Sequence, residues 1–72
     1  MPEILSDVEQ ETLGLIKTSI AANGYAPSVG ELSEQSGITT TATMGRLTRL
    51  ERKGYIRRAP HRARAITIVD NP

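Results

Sequence analysis

Residues 39–52 hold Thr39, Thr40, Thr41, Thr43 and Thr48 together with Arg46, Arg49 and Arg52, and four more arginines, Arg57, Arg58, Arg62 and Arg64, follow closely. These groups suit one kind of chemistry. A threonine hydroxyl bonds a base edge or a phosphate, its methyl or an alanine packs on a thymine methyl, and an arginine takes the paired acceptors of guanine or two phosphate oxygens. Catalytic groups are scarce by comparison. His61 is the single histidine and sits in a turn without acidic or cysteine neighbours, and neither Ser28 nor Ser33 has a base to activate it. The absence of cysteine removes disulfides and thiolate zinc sites. No enzyme, cofactor or metal is therefore expected.

The net charge of +1 conceals an asymmetry. Residues 1–45 carry Lys17 against Glu3, Asp7, Glu9, Glu11, Glu31 and Glu34, a net −5. Residues 46–72 carry seven arginines and Lys53 against Glu51 and Asp70, a net +6. A basic half suits a polyanion, although two halves that neutralise each other within the fold account for the charge as well. A chain of 72 residues makes one domain near the lower limit for a self-sufficient core. No apolar run approaches the roughly 20 residues that cross a bilayer. Met1-Pro2-Glu3-Ile4 has neither the basic nor the apolar part of a secretory signal, so the expected location is cytoplasmic.

The elements that must position these groups are legible. Ser6 and Glu9 have capping-box spacing, and Asp7, Glu9 and Glu11 favour the positive end of a helix dipole. Val8, Leu13, Leu15, Ile16 and Ile20 share one arc at helical spacing, and Asn23-Gly24 closes the element, which predicts a helix over 7–23. Pro27 keeps Tyr25-Ala26 extended, with Tyr25 expected on the corner between the first two helices. Ser28 and Glu31 repeat the capping box for a helix over 29–36, with Val29 and Leu32 inward, Gly37 at its end and Ile38 plugging the core. A third helix over 40–53 starts from the Thr39-Thr40-Thr41 run, turns Thr43, Leu47 and Leu50 inward, and stops at Gly54. The period then changes to two, and residues 55–69 read as a hairpin with Tyr55 at its base and a basic turn from Ala59 to Ala63.

Three helices with a glycine turn between the second and third, followed by a hairpin, define a mainly α, α+β winged helix-turn-helix. In that motif the third helix here would enter a DNA major groove. With Leu47 marking the core direction, Thr41, Ala42, Gly45, Thr48, Arg49 and Arg52 point outward. A glycine inside a helix costs about 1 kcal/mol against alanine. Close approach of a DNA backbone explains Gly45, and so does a neutral inherited residue. Arg62 at the hairpin tip suits a minor groove, whereas Arg57, Arg58 and Arg64 suit phosphates.

Gly24-Tyr25-Ala26-Pro27-Ser28-Val29, then Glu31-Leu32 and Gly37, and later Leu50-Glu51-Arg52-Lys53-Gly54-Tyr55-Ile56-Arg57-Arg58 resemble the N-terminal DNA-binding domain of LexA repressors. Arg62-Ala63-Arg64-Ala65-Ile66 resembles the wing of that domain. The resemblance implies reading of duplex DNA by the start of the third helix, on Thr39, Thr40, Thr41, Ala42, Met44 and Gly45, with Ser28 near the phosphates. Two features depart from the family pattern. The stretch from Gly37 into the third helix is one residue shorter, and Met44 and Gly45 stand where some LexA proteins carry acids. The family's self-cleaving domain, with its Ser-Lys dyad, has no counterpart after Asp70. Either an excised DNA-binding domain or a free-standing small regulator is expected, the second being favoured. The function expected is that of a sequence-specific repressor, working as a homodimer on DNA or with a second regulatory protein. The alternative is a winged-helix module that docks on another regulator or on RNA polymerase. No membrane role is expected.

Overall fold

Both capping boxes close. In the computed structural model, which describes residues 4–59 and 65–69, Ser6 N donates to Glu9 Oε1 at 2.9 Å and Glu9 N donates to Ser6 Oγ at 3.3 Å. Helix α1 follows from Asp7 to Asn23. Ser28 and Glu31 make the same reciprocal pair at 2.9 and 3.1 Å, opening α2 from Val29 to Ser36. Gly37 ends α2 at φ 69°, a conformation that a side chain would strain, and this turns the chain into α3, Thr40–Arg52. Thr39 is the residue of the threonine run that caps α3, accepting from Ala42 N at 3.1 Å.

Helix α3 stops at Arg52, one residue before the expected end, because Lys53 already serves as its cap. Gly54 at φ 87° donates to Glu51 O at 3.1 Å, and Tyr55 N donates to Leu50 O at 3.0 Å. This pair of bonds is a Schellman motif, and it sends the chain directly into strand β1. Strands β1, Ile56–Arg58, and β2, Ile66–Ile68, pair antiparallel with Ile56 opposite Ile68 and Arg58 opposite Ile66. Mainly helical architecture with a terminal hairpin is thus the observed fold, a winged helix-turn-helix.

The core joins Leu13 and Ile16 of α1, Ala26, Leu32 of α2, Leu47 and Leu50 of α3, Ile56 and Ile66. Helix α3 lies centrally, packed on α1, α2 and β1. Thr43 is buried as expected and meets Ser33 of α2 hydroxyl to hydroxyl at 3.1 Å. Ile38 is half-buried, and Tyr25, between α1 and α2, is half exposed. The first helix differs from expectation in one respect. Leu15 and Ile20 flank the core, but Val8 is exposed and Glu9 is 2% exposed in its place. The buried stripe of α1 holds Glu9, Thr12, Leu13 and Ile16, and its first position is a carboxylate that finds partners at Arg49 and Lys53.

Candidate nucleic-acid interface

Burial of Thr43, Leu47 and Leu50 sets the rotation of α3, so the opposite side of the helix faces solvent. Thr41, Ala42, Thr48, Arg49 and Arg52 are exposed there with Gly45 half exposed among them, while Thr39 and Thr40 are exposed at the start of the helix and Met44 at the margin of that side. Met44, at 51% exposed, belongs to this surface and not to the core. Ser28 is half-buried at the start of α2, with its hydroxyl oxygen taken by the Glu31 amide. The α3 residues singled out from sequence therefore lie on its solvent-exposed surface. Arg62, Arg64 and His61 lie outside the described residues.

The hydroxyls differ in what they can still offer. Thr48 Oγ1 donates to Met44 O at 2.9 Å and accepts from Arg58 Nη2 at 3.2 Å. Its single proton is spent, leaving its methyl and a lone pair. Thr39 uses its oxygen as a cap and keeps its proton. Gly45 has no packing reason within the fold. A Cβ built there meets, beyond its own helix backbone, only Arg49 Nη1 at 3.8 Å, an ordinary contact.

Two ionic arrangements went unseen in the sequence. Glu9 Oε1 accepts from Lys53 Nζ at 2.7 Å and Oε2 accepts from Arg49 Nε at 3.1 Å. Lys53 also donates to Ile4 O at 3.3 Å. The Lys53 bond, followed by the Ser6 amide, lowers the Glu9 carboxyl from 4.5 to about 2, against the opposing effect of burial. Arg49, expected to be a free groove residue, is thus held at Nε while its side chain stays 47% exposed. A signal for this existed: Glu9 falls on the apolar stripe of α1, where a charge must be paired.

Arg58 is the second case. Its backbone N and Nη2 donate to the two oxygens of Glu51 at 3.3 and 3.4 Å, and Nη2 also reaches Thr48. The alternation of a strand places it on the same face as Ile56, turned toward α3, whereas Arg57 faces solvent. Arg58 is therefore a brace between wing and helix, and only Arg57 of the pair stands free as a phosphate ligand would. Arg46, half-buried, reaches Thr12 Oγ1 of α1 at 3.4 Å. Among the described residues no cluster of metal-ligating side chains occurs, and no helix is long and apolar enough to cross a membrane.

These features can be set against known proteins. The sequence profile of the LexA DNA binding domain matches residues 2–65. The LexA repressor of Caldicellulosiruptor saccharolyticus is 49% identical over 72 residues, 99% of this chain and 36% of its own. That of Halalkalibacterium halodurans is 49% identical over 67 residues, 92% of this chain and 32% of its own. The LexA repressor of Geobacillus kaustophilus is 48% identical over 68 residues, 93% of this chain and 33% of its own. The chain spans about a third of the length of these curated relatives. The match runs through both capping boxes, the turn into α3 and the first wing strand, and on that ground the chain belongs to the LexA DNA-binding domain family.

Proposed function

We propose that this chain is a sequence-specific, double-stranded DNA-binding transcriptional repressor, acting without catalysis in the cytoplasm, with α3 in the major groove and the wing against the minor groove or backbone. One observation carries the reading. The side of α3 opposite the core presents Thr41, Ala42, Gly45, Arg49 and Arg52 together, with Thr40 and Met44 exposed beside it and the helix's one acid, Glu51, paired with Arg58. Family membership and the relatives' printed name, LexA repressor, support it.

Within this reading Thr39, Thr40, Thr41, Ala42, Met44 and Gly45 read bases, and Arg49 with Arg52 adds base or phosphate contacts. Ser28 touches phosphate, Thr48 offers mainly its methyl, and Arg62 and Arg64 serve the wing. A single module buries roughly 600–1,000 Å² on DNA, so two copies on one site supply useful specificity.

Selection of duplexes from a random-sequence pool, followed by titration with salt, tests the proposal. Affinity for the selected duplex should fall by about 10³-fold between about 50 and 200 mM salt for some six phosphate contacts. A flat salt response, or failure to recover any duplex, would instead favour docking on a protein partner. Sedimentation with the selected duplex tests the pairing of copies; strict 1:1 binding at saturating protein removes that part.

A further inference from the structure

Glu9 occupies a place that its capping role does not explain. A capping box needs Oε1 to accept the Ser6 amide, which it does, but the carboxylate is 2% exposed and also takes two cations of α3. Lys53, the shorter contact at 2.7 Å, is the more covered of the two, with its side chain 20% exposed against 47% for Arg49. One carboxylate between two cations leaves a surplus positive charge, and Arg49 is where that surplus meets solvent.

The geometry of Arg49 follows from this pairing. Long side chains on a helix lean toward its N-terminus, over the preceding turn. With Nε held by Glu9, the guanidinium of Arg49 lies back over Gly45, its Nη1 standing 3.8 Å from where a Cβ at 45 would be. A Cβ at 45 would meet the guanidinium only at ordinary van der Waals distance, so it is larger side chains that the glycine keeps away from it. Of its five N–H donors only the Nε–H is used among the described residues, so the Nη1–Nη2 end remains as an open fork. That fork stands one turn toward the start of α3, beside Gly45 on the exposed surface of the helix.

We propose that Glu9 is a positioning residue for DNA recognition: neutralised by Lys53, it clamps Arg49 so that the Nη1–Nη2 fork lies over Gly45 and takes a pair of acceptors on duplex DNA, either guanine O6 and N7 or two phosphate oxygens. The inference rests on the DNA-binding reading above and adds to it a residue of α1 that never touches DNA. Both sources share one chemistry, a planar donor fork on two acceptors.

A double-mutant cycle tests it, with affinity measured on duplexes that the wild-type chain selects from a random pool and folding followed by circular dichroism. Glu9→Gln keeps a capping oxygen but removes the charge that holds Arg49. Glu9→Gln and Arg49→Gln should each weaken binding about tenfold, and Glu9→Gln should cost little further once Arg49 is gone. A merely structural role for Glu9 moves melting temperature and affinity alike in both backgrounds. Should Glu9→Gln fail to fold, Glu9→Asp decides, since it keeps an acid at the capping position but draws the carboxylate back from Arg49 Nε, and its loss should likewise vanish in the Arg49→Gln background.

Loss caused by 7-deazaguanine at one position, felt by the wild type and not by Arg49→Gln, identifies guanine as the acceptor. The same pattern with a methylphosphonate identifies the backbone. Equal binding of a selected duplex by wild type and Glu9→Gln, or a loss unchanged by removal of Arg49, overturns this proposal alone. A pool from which the wild type recovers nothing overturns the DNA-binding reading and this one with it.

Discussion

Lys53 Nζ and Glu9 Oε1 lie 2.7 Å apart and join the last turn of α3 to the first turn of α1. The lysine stands at the negative end of one helix dipole and the glutamate at the positive end of the other. Each charge therefore meets a favourable helix end as well as its partner. Arg49 completes the arrangement on the second carboxylate oxygen.

The pairing makes stability depend on acid. Folding depresses the Glu9 carboxyl from 4.5 to about 2, chiefly through the Lys53 hydrogen bond. As pH falls, the unfolded chain takes up the proton first, so the contribution of Glu9 is complete above about 4.5 and is lost as pH falls toward about 2. Melting temperature followed across that window should decline in the wild type. Glu9→Gln should start lower and show a shallower decline, since it has no proton to gain.

Gly14 and Gly45 lie inside helices, where a Cβ at 14 meets open space and one at 45 makes only an ordinary contact with Arg49 Nη1 at 3.8 Å. Alanine at either should raise stability by about 0.5–1 kcal/mol, read as a higher melting temperature. Their effects on duplex affinity should separate. Gly14→Ala, on exposed α1, leaves affinity unchanged, whereas Gly45→Ala sets a methyl on the face offered to DNA and weakens binding.

Ser33 Oγ and Thr43 Oγ1 share two protons among three contacts: to each other at 3.1 Å, to Val29 O at 2.8 Å and to Thr39 O at 3.0 Å. Ser33→Ala and Thr43→Val should each destabilise by about 1 kcal/mol in denaturant unfolding. The double variant should fall well short of the sum, because the second change removes a group already missing its partner.

Glu51 neutralises Arg58 where the wing meets α3, on an exposed pair. Glu51→Gln should cost less than about 1 kcal/mol of stability. Its effect on DNA should be larger in kind: with an acid gone and Arg58 uncompensated, the slope of log affinity against log salt should steepen by about one. An unchanged slope on a fixed duplex counts against this.

Local physics determined much of this protein from its sequence alone. The Ser6–Glu9 and Ser28–Glu31 spacings, the glycines at 37 and 54, and the helical spacing of Thr43, Leu47 and Leu50 each act within a few residues, and the elements and the outward face of α3 follow from them. The partners of the charged groups obey no such local rule. Glu9 is separated from Arg49 and Lys53 by 40 and 44 positions, and only the packing of α1 on α3 brings them together. Arg57 and Arg58 look alike as neighbours in the chain, yet the pleat of β1 sends one to solvent and the other to Glu51. A cation's availability depends on which acids the fold lays beside it. For that reason the sequence could mark the arginines of this chain but not divide them into those that hold the domain together and those left free for a partner.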